Sequence, residues 1–314
     1  MTLVALALAP SVTDALDAPF YLDLLTRVVI LAIAAVSLNL ILGFGGMISF
    51  GHAAFLGIGA YAVGIPAFYE SYSAWVHLPL AVGGAALFAL GTGWISLRTR
   101  GVYFIMITLA FAQMVYFAFV SMETYGGDDG LVIDLRSELG GGIDLENNVT
   151  LYYVSFGVLL LAVYGLRRLV RSRFGMVVRG AHGNDERMQA LGYPTFRYRL
   201  ACYVISGTLC GVAGWLLGNF TGFISPEMMD WTRSGELIFM VVLGGTGSVF
   251  GPVLGTVVFL GLEEGLSRIT VYWQLIFGLL LILVVLYARG GLDGWLKGLE
   301  AGRTRKRTGS PESP

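Results

Sequence analysis

Charged residues are scarce in this chain. Only 13% of its 314 residues are Asp, Glu, Lys or Arg, whereas a soluble domain has roughly 25%. Hydrophobic residues make up 56%, and the mean hydropathy is +0.73. A soluble protein of this length needs more polar cover than the sequence supplies, so the composition excludes a soluble globular fold.

Motifs of catalysis and of metal binding are also missing. The sequence has no Gly-x-x-x-x-Gly-Lys-[Ser/Thr] phosphate loop, and its two lysines, Lys297 and Lys306, are not placed to serve one. The three histidines are scattered over three regions, and no Cys/His spacing fits a metal site. We therefore expect no catalysis, no metal, no cofactor and no nucleic-acid partner.

The sequence also argues against an internal disulfide and against a cleaved signal peptide. Cys202 and Cys210 lie in one apolar run, at a spacing of roughly 12 Å along a helix. A disulfide needs Cα atoms within about 7 Å, so the two cannot pair there. Residues 1–10 are apolar but lack a basic n-region, so we expect a surface-lying or partly inserted segment and no cleaved signal peptide.

The chain has instead a series of apolar stretches of membrane-spanning length. Crossing ~30 Å of hydrocarbon takes about 20 apolar residues. The candidates are Leu24–Phe44, Ile48–Phe68, Leu78–Leu97, Val102–Met122, Leu151–Leu169, Leu200–Phe220, Leu237–Leu262 and Val271–Ala288. The sequence therefore predicts an all-α polytopic membrane protein of about eight transmembrane helices. Residues 1–23 would form an N-terminal segment, 24–289 the transmembrane domain and 290–314 a disordered basic tail.

Arginine is concentrated in one connection, residues 167–199. This segment holds Arg167, Arg168, Arg171, Arg173, Arg179, Arg187, Arg197 and Arg199. Short loops rich in Lys and Arg face the cytoplasm, so this segment and the Arg98–Arg100 connection belong inside. The loop of residues 123–150 is acidic and belongs outside.

The basic tail constrains the stretch Leu237–Leu262. A single crossing there would leave the tail outside, against its charge. The conflict disappears if the stretch is broken near residues 243–247 and turns back or crosses twice. Irregular backbone at membrane depth is tolerated only where protein or a water-filled cavity covers it. We therefore predict Gly-rich broken or re-entrant segments that line a pathway.

Two Gly-rich segments, residues 37–61 and 244–255, carry polar groups at depths where these are costly. Phe50-Gly51 is echoed by Phe250-Gly251, a pointer to an internal repeat. The candidate pathway residues are Asn39, Ser49, His52, Gly244, Gly245, Thr246 and Ser248. Hydrogen bonds between helices would explain Asn39 and Ser49 equally well. For His52 a structural hydrogen bond is the favoured interpretation.

Two glycine series recur at helical spacing. They are Gly207, Gly211, Gly214 and Gly218 in one stretch, and Gly247, Gly251 and Gly255 in another. Small residues at this spacing let helices approach closely, so both series are interpreted as packing surfaces.

A short helix with start and stop signals lies inside the Arg-rich segment. Asn184 is a good N-cap, and Asp185 and Glu186 suit the positive end of a helix. Gly192 followed by Pro194 suits its end. In the predicted helix, Asp185 to Leu191, Met188 and Leu191 would share a face that a cytosolic partner can grip. The alternative is a helix lying on lipid headgroups.

These motifs together resemble the membrane permeases of branched-chain (hydrophobic) amino acid ABC importers, in particular their LivM-like subunit. The matching stretches are Leu38–Phe55, Arg100–Phe104, Gly126–Leu131, Arg173–Gly175, Ala190–Gly192, Gly222–Pro226 and Val242–Pro252. They follow the family order over residues 24–289. The segment Glu186–Gly192 departs from the Glu-Ala-Ala-type loop common in importers.

The resemblance implies a multi-pass protein of the bacterial inner membrane that imports a small molecule with several partners. These are a second, LivH-like permease, two cytosolic ABC ATPases and an extracytoplasmic solute-binding protein, all around a lipid bilayer. It implies an ATPase-coupling loop, with candidates Arg179, Asn184, Asp185, Glu186, Met188, Leu191 and Gly192. The acidic outer loop either receives the binding protein or is solvated surface.

Three alternatives remain open at this point. Similar permeases move urea or short amides. A stand-alone ion-coupled carrier or channel is disfavoured because ionisable residues such as Glu236 and Glu263 lie near the ends of the predicted spans, whereas carriers usually place them mid-span. A structural scaffold fits poorly with costly glycine breaks.

Overall fold

A computed structural model describes residues 6–7, 10, 19–140, 145–287, 291 and 294. Predictions about residues 1–18 and about the basic tail from 288 onward therefore lie almost wholly outside the described residues. The first long helix begins at Pro19, ahead of the predicted domain boundary at residue 24.

The described chain is built almost entirely from helices. The α-helices are α1 Pro19–Asn39, α2 His52–Phe68, α3 Ala74–Ser96, α4 Val102–Val120, α5 Asn148–Arg171, α6 Arg173–Gly183, α7 Asp185–Ala190, α8 Thr195–Thr221, α9 Trp231–Gly244, α10 Gly251–Ile269 and α11 Trp273–Tyr287. A π-helical segment, Leu40–Phe44, extends α1. Three 3₁₀ segments are Glu123–Tyr125, Gly127–Asp129 and Pro226–Met229. Strands β1 (Leu131–Val132) and β2 (Phe223–Ile224) pair antiparallel.

The all-α, polytopic fold class is confirmed. Five described helices are long and apolar enough to cross a membrane: Phe20–Phe44, Ala74–Ser96, Val102–Val120, Asn148–Arg171 and Thr195–Thr221. His52–Phe68 and Trp273–Leu283 are shorter apolar helices. The predicted span Ile48–Phe68 starts later than expected because residues 46–51 have no helical hydrogen bonding.

Helix α8 lies at the centre of the bundle and packs against α2 and α3. Its glycine series makes this approach possible. A Cβ at Gly207 would lie 2.9 Å from the Phe55 ring, and one at Gly218 would lie 3.2 Å from Ala60 Cα. At Gly214 a Cβ would overlap the Leu56 carbonyl oxygen, and at Gly211 it would lie 2.5 Å from Ala85 Cβ. Only glycine lets the backbones of α8 and α2 come this close.

Helix α1 is also central, with α5, α8, α9 and α10 packed around it. The run from Val28 to Ile41 is buried almost throughout. Its π-helical end is closed by a hydrogen bond from Gly45 N to Leu40 O, 3.2 Å long. Gly46 then adopts φ +66°, which turns the chain out of the helix.

The predicted break inside Leu237–Leu262 is present. Helix α9 ends at Gly244, Gly245 has φ +106°, and α10 begins at Gly251. The two helices form a tight antiparallel hairpin. Their backbones are so close that a Cβ at Gly255 would overlap the Met240 carbonyl oxygen, and a Cβ at Gly244 would overlap the Gly251 carbonyl oxygen.

The hairpin replaces the single predicted crossing Leu237–Leu262 by two helices that run in opposite directions, as the charge of the basic tail led us to expect. Its turn lies at the end of the bundle that also carries the Arg98–Arg100 connection, α6 and α7, called the inner end here. Helix α11 follows α10, and Gly291 again lies against the backbone of Gly244 and Gly245. Gly291, which follows α11, therefore lies at the inner end.

The opposite, outer end is covered by the acidic loop between α4 and α5. Strand β1 of this loop pairs with β2 after α8. Ser137 Oγ contacts His77 Nδ1 at 2.7 Å, and Ser137 N donates to Asn219 Oδ1 at 2.7 Å. The described part of the outer loop is thus hydrogen-bonded to α3 and α8.

Candidate coupling and translocation sites

Helix α7 has the boundaries that its sequence signals predict. Asn184 Oδ1 accepts from Arg187 N at 2.9 Å, which satisfies one of the free N–H groups of the first turn. Gly192 has φ +87°, a left-handed conformation that stops the helix at little cost for glycine. The helix ends at Ala190, one residue earlier than predicted.

Asp185 fixes α7 to the rest of the bundle. Its side chain forms ion pairs with Arg100, at the start of α4, and with Arg199, in α8, whose Nη1 lies 3.7 Å from Oδ2. Gln189 Nε2 donates to the same Oδ2 at 3.1 Å. Asp185 is only 8% exposed. The sequence predicts Asp185 in the coupling loop but not its two arginine partners. Arg100 and Arg199 belong to basic connections, and their positive charge is already explained by the cytoplasmic location of such connections.

The candidate coupling residues at α7 differ in their exposure. Leu191 is 66% exposed, and Glu186 is exposed as well. Met188 is half-buried, and its sulfur would lie 2.8 Å from a Cβ at Gly180, so it packs against α6. Met188 is thus less accessible than Leu191, and a face shared by the two residues and gripped by a cytosolic partner stays a prediction.

Arg179 also contacts its own chain. Its guanidinium donates to Val170 O at 3.2 Å and to Gly175 O at 3.4 Å. These are carbonyls at the end of α5 and in the first turn of α6, and α5 cannot satisfy its own last carbonyls. Arg179 therefore ties α6 to α5, although part of its side chain remains exposed.

The two Gly-rich breaks meet each other at the inner end. Asn39 Nδ2 donates to Ser248 O at 2.9 Å, across 209 residues of sequence. A Cβ at Gly43 would overlap the Thr246 carbonyl oxygen. Among the described residues Asn39 Oδ1 has no hydrogen-bond partner although it is buried. The contact therefore leaves one buried polar atom free beside irregular backbone.

Ser49 and Ser248 perform the same local task in the two breaks. Ser49 Oγ accepts from Gly51 N at 3.2 Å, and Ser248 Oγ accepts from Phe250 N at 3.2 Å. Each serine thus accepts a hydrogen bond from the Phe-Gly pair at the start of the next helix. The sequence echo corresponds to a shared turn chemistry.

His52 is enclosed by α8. Its Nε2 lies 2.9 Å from Ser206 Oγ, which donates to Ser37 O at 2.5 Å. The side chain is 0% exposed. This arrangement links α1, α2 and α8 and matches the favoured structural interpretation.

Gly247 differs from the other two glycines of its series. Gly251 and Gly255 face α9, as described above, whereas a Cβ at Gly247 would meet no described atom within 4 Å. The packing role predicted for Gly247 is wrong because it lies in the turn between α9 and α10, where helical spacing does not apply. Gly245 and Gly244 are buried, and Thr246 is half-buried.

Four paired ionisable residues lie within packed helices, where the sequence did not predict them. Arg233 Nη1 contacts Glu236 at 2.9 Å, and Arg27 Nη2 contacts Glu263 at 3.6 Å. Arg27 lies eight residues into α1 and Glu263 six residues before the end of α10, which is roughly 9–12 Å from those helix ends. Glu236 and Glu263, predicted near span ends, thus lie within packed helices.

Within residues 19–140 and 145–287 no group of three or more His, Cys, Asp or Glu side chains could hold a metal ion. Cys202 and Cys210 are buried free thiols.

In the described residues two glycine-rich breaks meet at the basic end of a helical bundle, and a buried carboxylate holds a capped helix there. This arrangement fits a membrane transport permease. Residues 20–285 match the family described as "Branched-chain amino acid transport system / permease component". The chain belongs to this family, and it is a multi-pass protein of the inner membrane.

Curated relatives agree with this assignment. The permease protein LivM of Salmonella typhimurium is 30% identical over 295 residues, covering 86% of this chain and 69% of the relative. LivM of Escherichia coli is 28% identical over 293 residues, with the same coverage. LivH of Salmonella typhimurium is 27% identical over 281 residues, covering 84% of this chain and 91% of the relative. All three are named as parts of high-affinity branched-chain amino acid transport systems. No solved structure matches the chain at a significant level.

Proposed function

We propose that this chain is one of two permease subunits of an ABC importer for branched-chain or other hydrophobic amino acids. Its companions would be a LivH-like permease, two cytosolic ATPases and an extracytoplasmic binding protein. Family membership and the names of the relatives support the class and the substrate. The observation that carries the coupled mechanism is α7, a capped helix at the inner end. Its Glu186 and the following Leu191 are exposed, while Asp185 is buried and paired with Arg100, just before α4, and with Arg199 in α8.

In this mechanism the ATPases contact the exposed surface of α7 and move it during their cycle. The displacement reaches α8 through Asp185 and Arg199, and α4 through Asp185 and Arg100. Helix α8 then moves together with α2 and α3, because its glycine contacts leave no room for sliding. Nucleotide and the loaded binding protein act only through their different affinities for the states of the permease.

The translocation pathway is proposed to pass the contact of the two breaks. Asn39, Thr246 and Ser248 bring polar groups to irregular backbone there, which is tolerated at membrane depth beside a cavity or other protein. Movement of α9 relative to α1 would separate Asn39 from Ser248 and open the inner end. Ser49 and His52 have structural partners and are assigned to support this region.

The acidic outer loop is proposed to receive the binding protein. Asp128, Asp129 and Asp134 are exposed at the outer end, where a soluble partner has access. Hydrogen bonds and the β1–β2 pair give the described part of this loop a fixed shape, as a docking surface needs.

The test is uptake by proteoliposomes that hold the complete importer. Radiolabelled leucine should accumulate against its gradient only with ATP on the ATPase side and with binding protein on the other side. Accumulation of urea or acetamide in place of leucine would show a different substrate class. Uphill transport by this chain alone, driven by an ion gradient, would refute the importer assignment.

A further inference from the structure

A cavity lies between α9, α10 and α11, apart from the contact of the two breaks. Its volume is about 580 Å³, within the range of roughly 300–1,000 Å³ that small-molecule sites occupy. Aromatic side chains form much of its wall, among them Phe239, Phe259, Trp273 and Phe277. The Phe259 and Phe277 rings meet edge to face, with centroids 4.7 Å apart.

Two carboxylates enter this largely apolar cavity, which Gln274 also lines. Glu236 and Glu263 both line it, and each is paired with an arginine, Arg233 and Arg27 respectively. The side chains of all four are between 24% and 38% exposed. Charged groups within membrane-spanning helices face a bundle interior or a water-filled cavity, because exposure to lipid is costly. The cavity is therefore not a simple lipid-filled gap between helices.

The charges and the walls together fit one class of ligand. An amino acid carries an ammonium group that Glu236 and Glu263, which line the cavity, can bind. Arg233 and Arg27 contact these two carboxylates but are not among the residues that line the cavity. An apolar side chain would then lie against Phe239, Phe259 and Phe277. An ammonium group at one end and an apolar side chain at the other match the carboxylates and the aromatic rings of this lining.

We infer that this cavity is a binding site for the transported amino acid within the permease, with the aromatic wall selecting for the size of its side chain. This inference rests on the proposed function, since it names the substrate as an apolar amino acid. It places side-chain selection inside the membrane subunit, in addition to any selection by the binding protein.

Gly278 offers a direct test, because it lines the cavity and a Cβ there would meet no described atom within 4 Å. Gly278→Val therefore fills the cavity without a clash in the surrounding helices. Phe239→Ala does the opposite and enlarges it. Gly261→Val is the matched control: Gly261 is exposed on α10, is not among the residues lining the cavity, and likewise has open space for a Cβ.

The experiment measures uptake of alanine, leucine and phenylalanine by the complete importer in proteoliposomes, each at a concentration that saturates the binding protein. Gly278→Val should lower the leucine-to-alanine uptake ratio on the order of tenfold. Phe239→Ala should raise the phenylalanine-to-leucine ratio. Gly261→Val should leave both ratios at the wild-type value.

Opposite shifts in the two variants would support a size-selective site, since loss of packing alone lowers all rates together. Unchanged ratios, or an equal loss for all three substrates, would overturn the inference and leave the cavity to a lipid chain or to helix movement. If the wild-type importer transports none of the three amino acids, the proposed function itself fails. These outcomes distinguish the two claims.

Discussion

The buried carboxylate of Asp185 gives the sharpest test of the coupling mechanism. Asp185→Asn keeps the size of the side chain but removes the charge that holds Arg100 and Arg199. A hydrogen bond to a charged group contributes roughly 1.5–3 kcal/mol. Arg100 is more than half exposed, so its share lies at the low end, whereas the Arg199 side chain is 16% exposed.

A loss of about 2 kcal/mol lowers the docked fraction of α7 relative to the undocked one by roughly 30-fold. The ATPases would then hydrolyse ATP without moving α8. We expect the amount of leucine imported per ATP hydrolysed to fall steeply, while the importer still assembles and hydrolyses ATP. Measuring uptake and phosphate release on the same proteoliposomes gives this ratio directly.

The neighbouring arginines supply the controls. Arg100→Gln should uncouple less than Asp185→Asn, because it leaves the Arg199 pair in place, and the double variant should be no worse than Asp185→Asn alone, because Asp185→Asn already removes the Arg100 interaction. Arg98→Gln removes the same charge from the same connection, but Arg98 lies 5.7 Å from the Trp94 ring centroid and forms no ion pair among the described residues. Equal uncoupling by Arg98→Gln, or additive losses in the double variant, would refute the reasoning.

Three further predictions follow from the packing. Gly192→Val should also uncouple transport, because its φ of +87° penalises a β-branched residue although a Cβ there meets no described atom within 4 Å; Gly183→Val, with equal space and no positive φ, should stay coupled in the same assay. Gly214→Val should lower the thermal unfolding temperature of the purified complex or prevent its assembly, since a Cβ would overlap the Leu56 carbonyl, whereas Gly157→Val has open space and should not. His52→Phe should destabilise the complex by about 1–3 kcal/mol through the lost Ser206 contact, and a changed KM for leucine with unchanged stability would contradict its structural assignment.

The local features of α7 could be predicted from sequence because their causes are local. An N-cap asparagine acts on the next three residues, and a glycine at the end of a helix acts through its own φ. Asn184 and Gly192 therefore define α7 almost to the residue. The interaction of Asp185 with Arg100 joins positions 85 residues apart, and no local pattern distinguishes Arg100 from the other inner arginines.

The glycine breaks were predictable for a related reason. A run of glycines in an apolar stretch conflicts with a continuous helix, and the charge of the tail independently requires an extra crossing. What the pattern could not give is the partner of each break. Asn39 and Ser248 meet only because α1 and the α9–α10 hairpin are neighbours in the bundle.

Membrane helices carry less information about their packing than soluble ones, and this explains the missed charges. In water the apolar face of a helix marks the core, but in a bilayer the lipid-facing side is apolar as well. The faces that can be recognised are those with small or ionisable residues. Gly207 and Gly214 on α8 satisfy the first criterion, and the paired charges on α1, α9 and α10 satisfy the second. An ionisable residue inside a predicted span is therefore evidence for an interior face, and Arg27, within the predicted span Leu24–Phe44, carries that signal in the sequence itself. Arg233 and Glu236 lie just before the predicted span Leu237–Leu262, so for them the signal appears only once α9 is seen to begin at Trp231.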